Sequence, residues 1–182
     1  MSGKLIIIGG YCATGKSTFS NKLANFLGIP CFNKDNLKEV MADSFGSDTK
    51  EVYKKGSAAT FNLMLHIVER FLLTGNVCII EANFKSFEEI EIKELLKKYD
   101  ADCLTFVFTG DLDTLYDRYT ERDQERHWVH LRAGDSASFK EGQTGLAELS
   151  IGQTIQVDAT DFKEIKHNDL FESAKAFLQN QV

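Results

Sequence analysis

The sequence predicts an α/β fold, a parallel sheet with helices on both faces. Short apolar runs rich in β-branched residues recur along the chain, and amphipathic stretches with helical spacing separate them. No internal repeat or composition break divides the 182 residues, so one domain spanning 1–182 is expected.

The elements follow in order. Residues 4–8 read as a strand, and 16–27 as a helix with Phe19, Leu23, Phe26 and Leu27 on one face. Residues 29–32 form a second short strand, and 35–44 a helix opened by an acidic residue. A long helix covers 50–74, with Phe61, Met64, Leu65, Val68 and Leu72 at helical spacing. Residues 77–82 are a buried strand, and Ser86-Phe-Glu-Glu89 reads as a capping box for a helix ending near Tyr99. A fourth strand (102–109) precedes a helix over 113–126. Residues 129–150 are polar and weakly periodic, which predicts a loop or mobile insert. A fifth strand (154–157) and a last helix (169–179) complete the chain.

Apolar residues make up 43% and charged residues 26%, a globular balance. Unbroken apolar runs reach only four residues, as at Leu5–Ile8, too short for a membrane span or a leader's apolar core. A cytoplasmic protein is expected. Cys12, Cys31, Cys78 and Cys103 have no CxxC spacing and read as free thiols in a reducing compartment. The net charge of −6 argues against nonspecific coating of nucleic acid. All of that excess lies in residues 92–182, yet four of the five arginines (118, 122, 126 and 132) fall there within 15 residues.

The sharpest motif is Gly10-Tyr11-Cys12-Ala13-Thr14-Gly15-Lys16-Ser17, which satisfies G-x-x-x-x-G-K-[ST] between a strand and a helix. Its backbone N–H groups can wrap a polyphosphate at the positive end of that helix. Lys16, read as an exposed helix start, reaches the β- and γ-phosphates; the Ser17 hydroxyl suits Mg²⁺, and Thr18 the α-phosphate. Nucleoside triphosphate binding is therefore expected. Asn33-Lys34-Asp35 starts like a guanine-reading N-K-x-D motif, but Asn36 breaks its register and it follows the wrong strand.

Further residues separate kinases from other users of this loop. Asp35, just past the second strand, can take a proton from an attacking hydroxyl or hold a magnesium-bound water; as the alternative it caps a helix. Lys38 follows one turn later. Glu81, ending the third strand, has the pattern of a carboxylate that helps to hold Mg²⁺ or orients the acceptor. Arg118, Arg122 and Arg126 recur every four residues, which lines one helix face. They read either as a solvated face or as a lid, over about residues 118–150, that neutralises the transferring phosphate. His127 and His130 lack cysteine neighbours, so zinc is not expected.

Together these features resemble the nucleoside-monophosphate-kinase-like branch of P-loop proteins, which includes polynucleotide 5′-kinases, zeta toxins, chloramphenicol phosphotransferase and gluconate kinases. The resemblance implies a three-layer P-loop NTPase fold with a five-stranded parallel sheet and an arginine-bearing lid. It implies that Asp35 is the general base, with Lys38 where those families usually carry Arg, and that Asp158-Ala-Thr160 approaches adenine. The segment Arg126-His-Trp-Val-His130 is similar to an Arg-His-x-x-His lid segment within this group. The expected activity is ATP- and Mg²⁺-dependent phosphorylation of a hydroxyl, with Lys16, Asp35, Arg122 and Arg126 catalytic and Arg118 and Thr160 beside the nucleotide. The alternative is a nucleotide-binding regulatory ATPase with slow hydrolysis.

Overall fold

The computed structural model describes residues 3–45, 50–123, 126–130 and 134–180. Its elements are β1 (Lys4–Gly10), α1 (Lys16–Leu27), β2 (Cys31–Asn33), α2 (Lys34–Phe45), α3 (Lys50–Leu73), β3 (Val77–Glu81), α4 (Ser86–Lys98), β4 (Asp102–Thr109), α5 (Leu112–Asp123), α6 (Ser136–Gly142), β5 (Gln153–Asp158) and α7 (His167–Gln179). The five strands pair in parallel in the order β2-β3-β1-β4-β5. In such a sheet the strand order reverses beside β1, and ligands bind beyond the carboxyl ends of the strands.

The strands are apolar on both faces because both faces are covered. Leu5 and Ile7 of β1 join Cys78 and Ile80 of β3 and pack under Phe61, Met64 and Val68 of α3 and Ile92 of α4. Ile6 and Ile8 point the other way, with Leu104, Phe106 and Phe108 of β4, against Phe19 and Leu23 of α1 and Ala174 of α7. The two-residue alternation along each strand thus feeds two cores at once. Among the described residues no helix is long and apolar enough to cross a membrane.

Element boundaries differ from expectation where local chemistry intervenes. The second strand starts at Cys31, not residue 29, because Pro30 has no N–H to pair; its carbonyl still accepts from Ile79 N–H at 2.9 Å. The expected capping box on Ser86 and Glu89 lies one residue earlier and is only half formed. Glu88 accepts from Lys85 N–H at 3.0 Å, while the Lys85 side chain has no acceptor to return the bond. Glu89 instead pairs with Lys93 at 2.6 Å.

The segment expected as a loop carries α6, capped by Asp135, whose carboxylate accepts from Ser138 N–H at 2.8 Å. Phe139, Leu146, Leu149 and Ile151 are buried, and the last two join the core beside β1. Apolar residues at irregular spacing anchor this stretch, which periodicity does not detect. The expected helix over 113–126 starts at Leu112, behind an Asp111 cap, and is described only to Asp123.

Candidate active site

The phosphate loop connects β1 to α1. Gly10 has φ +108°, and a Cβ there would lie 2.0 Å from Phe108 O, so glycine is required where the loop crosses β4. Gly15, at φ +78°, is the N-cap of α1 and leaves that helix start without a side-chain cap. An α-helix start of this kind presents unpaired N–H groups and a partial positive charge to the loop's hollow.

Lys16 is buried, at 5% exposure, which corrects its reading as an exposed helix start. Its ammonium folds back onto Tyr11 O and lies 3.4 Å from Thr14 Oγ1. Burial lowers its pKa, and the Glu81 carboxylate opposes that shift. Glu81 is equally buried at the end of β3; burial raises its pKa, with Lys16 and the Ser17 hydroxyl acting in the other direction.

Ser17 Oγ donates to Glu81 Oε2 at 3.0 Å. Asn33 Nδ2 also donates to Glu81 Oε2, and Asn33 Oδ1 accepts from Asn36 N–H at 2.9 Å. Asn33 therefore both aims the carboxylate and caps α2. That removes capping as an explanation of Asp35, which stands in the first turn of α2 with its side chain 59% exposed. Ser17 and Glu81 together offer a hydroxyl and a carboxylate oxygen, a donor pair that fits a hard, oxygen-preferring cation such as Mg²⁺. Among the described residues no group of three or more His, Cys, Asp or Glu side chains could hold a metal.

Asp35 opens into a cavity of about 810 Å³ beside the loop. Cys12, Asn33, Lys38, Glu81, Arg126 and Gln143 are among its lining residues. Arg126 is not on one helix face with Arg118 and Arg122: it lies beyond the described end of α5. Its Nη1 donates to Tyr119 Oη at 2.8 Å and its Nη2 stands 3.9 Å from Asp35 Oδ2. His130 is held by Glu39 at 2.7 Å and also stands 3.9 Å from Asp35, while His127 contacts Asp43 at 3.0 Å. The 126–130 segment is thus docked on α2. Lys38, one turn after Asp35, has its pKa lowered to about 8, first by burial and then by Lys34 and Arg126 against the pull of Asp35.

Arg122 is exposed on α5, and its positive charge is felt at both Lys16 and Glu81. Arg118 faces another direction. Its guanidinium donates to Ala159 O and Thr160 O, both at 2.6 Å, and stacks 3.9 Å from the centre of the Phe162 ring. The same Phe162 ring would lie 3.3 Å from a Cβ on Gly15, so Arg118, Thr160 and Phe162 wall the edge of the phosphate loop. Thr18 is exposed in the first turn of α1, and Tyr11, Cys12, Ala13 and Thr14 form the loop itself. Arg132 lies outside the described residues.

Two residues missed by sequence reasoning are Asn33 and Gln143. Asn33 was legible only as part of a failed guanine motif. Gln143 sits in the polar stretch before Leu149 with no motif to mark it. It is 4% exposed and brings its Oε1 within 2.8 Å of Cys12 N–H, a donor that the phosphate loop would turn on its ligand; its Nε2 is fixed on Phe139 O at 3.0 Å. Gln143→Ala is expected to tighten nucleotide binding several-fold, because the loop no longer exchanges a protein acceptor for a phosphate oxygen. Calorimetric titration with ATP checks this, and weaker binding would instead make Gln143 a direct ligand of the nucleotide.

No protein-family model matches the chain, and no curated protein matches it in sequence. Solved structures do match. A protein from Chloroflexus aurantiacus J-10-fl, assigned provisionally as a kinase, superposes with a TM-score of 0.89 at 26% identity, over 98% of this chain and 100% of that one. Shikimate kinase from Bacteroides thetaiotaomicron matches with a TM-score of 0.59 at 16% identity, over 97% and 98% of the two chains. Kti12 from Chaetomium thermophilum, solved with ADP-AlF3, matches with a TM-score of 0.66 at 13% identity, over 97% and 100%. The chain has the P-loop kinase-like fold. This P-loop kinase-like chain carries the lysine and serine of its phosphate loop at Lys16 and Ser17.

Proposed function

We propose that the protein is an ATP-dependent kinase that phosphorylates a hydroxyl group. The observation that carries this reading is Asp35, an exposed carboxylate that opens into the cavity beside the phosphate loop. Of the similar solved structures named above, one is a shikimate kinase and another is provisionally assigned as a kinase, which supports the same reaction class.

In the proposed reaction ATP lies over residues 10–18, with its base toward Arg118 and Thr160. The acceptor hydroxyl stands in the cavity and its oxygen attacks the γ-phosphorus. Its proton passes to Asp35, the bond from the γ-phosphorus to the bridging oxygen breaks, and ADP leaves with that electron pair. Lys16 and Arg122 stabilise the charge that spreads over the transferring group. Ser17 and Glu81, aimed by Asn33, would hold Mg²⁺, which when bound neutralises phosphate charge. Arg126 and Lys38 lie on the Asp35 side, toward the acceptor.

ADP formation from ATP and Mg²⁺ is expected to rise at least about 10-fold when the right hydroxyl compound is added. ATP consumption indifferent to every acceptor, with free phosphate as the product, would return the reading of a slow regulatory ATPase.

A further inference from the structure

One N–H of the phosphate loop is bonded to the protein's own chain. Cys12 N–H donates to Gln143 Oε1 at 2.8 Å, and Gln143 Nε2 donates to Phe139 O at 3.0 Å. These two contacts fix the amide's orientation, because a flipped side chain would set N–H against N–H and oxygen against oxygen. Gln143 is buried and is the C-cap of α6. A neutral amide oxygen thus stands where a loop of this kind would receive a phosphate oxygen.

The place along the loop decides which phosphate that is. Cys12 lines the Asp35 cavity, whereas Gly15, Lys16 and Ser17, where α1 starts, do not. A hydroxyl in the cavity can attack only a phosphorus that stands where the cavity meets the loop. The γ-phosphate therefore belongs at Cys12, with the β- and α-phosphates toward the start of α1. Gln143 is presented there by a braced helix. Lys140 of α6 pairs with Asp113 at 2.6 Å, and the Phe139 ring packs on Tyr116 and Tyr119 with centroids 5.6 and 5.1 Å away. Ser138, Phe139 and Gly142 of the same helix wall the cavity.

We infer that Gln143 is a specificity-determining residue that reads the γ-phosphate: it fills that phosphate's place on Cys12 N–H, yields it to a triphosphate and keeps it against a diphosphate. This rests on the kinase reading above and deepens it. A charged phosphate oxygen makes a stronger bond to the N–H than a neutral amide oxygen does, so ATP displaces the glutamine. The last phosphate of ADP ends short of Cys12 and leaves Gln143 seated. Since α6 also walls the acceptor cavity, the acceptor meets its finished wall only when a transferable phosphate is present.

Calorimetric titration of the full chain with AMPPNP and with ADP, each with Mg²⁺, tests this. Gln143→Ala should tighten AMPPNP about 3- to 10-fold, the worth of one hydrogen bond no longer broken, and change ADP affinity less than about twofold. Equal tightening of both nucleotides, unchanged AMPPNP affinity or weaker AMPPNP binding would overturn the inference and leave the kinase reading standing. The wild type gives a second readout that does not depend on how the variant folds. The Gln143 side-chain amide resonances should move when AMPPNP saturates the protein and stay in place with ADP. Movement with both nucleotides alike, or with neither, would also overturn the inference. Failure of both nucleotides to bind would instead remove the kinase reading, and the inference with it.

Discussion

Lys16→Met is expected to lower phosphate transfer by about 10³-fold, in the range of losses when a preorganised charge on the transferring group is removed. The substitution keeps the aliphatic stem and deletes an ammonium that is buried among Tyr11 O, Thr14 and the Glu81 carboxylate. Burial already disfavours that charge, so its loss should leave the melting temperature within a few degrees of wild type. ATP affinity should fall as well, because in the proposed reaction the ammonium turns from Tyr11 O to the β- and γ-phosphates. Steady-state transfer rates, nucleotide titration and a thermal melt check the three parts together. Wild-type transfer by the variant would mean that the loop at residues 10–17 does not hold the reacting nucleotide.

Asp35→Asn is expected to cost about 10² to 10⁴ in kcat and to spare ATP binding. Asparagine keeps the size of the side chain and removes its charge and basicity. The fold should not notice, because the cap of α2 is Asn33 and the Asp35 side chain is more than half exposed. In the proposed reaction ATP contacts come from the phosphate loop, so nucleotide affinity should change less than about threefold. Parallel loss of ATP binding and transfer would make Asp35 part of the Mg²⁺ site instead. A melting temperature lowered with transfer intact would leave it a structural residue only.

The strand-helix alternation and the phosphate loop were legible because each is written in contiguous residues. Leu5–Ile8 is apolar without a break since two cores cover β1, and the loop's glycines and Lys16 stand at spacings that backbone geometry dictates. The cavity around Asp35 was legible only in part: Asp35, Lys38 and Arg126 could be singled out, but their meeting could not, because the cavity is assembled from pieces far apart in sequence. Asp35 and Lys38 come from α2, Arg126 and His130 from the segment after α5, and Gln143 from the far end of α6. Helical spacing placed Arg126 with Arg118 and Arg122, whereas it folds back on Tyr119 toward Asp35 and Arg118 braces the strand-five loop. Asn33 escaped notice because only the folded sheet brings the end of β2 next to the end of β3, where the register sets Asn33 beside Glu81.

Phosphorus NMR of the reaction tests most directly whether this is a kinase. The protein is incubated with ATP, Mg²⁺ and a pool of sugars, sugar acids, nucleosides and their phosphate esters. A new phosphoester resonance that grows in step with ADP is the predicted result, absent when Asp35→Asn replaces the wild type. ADP accompanied only by inorganic phosphate, at the same rate in both proteins, would contradict it.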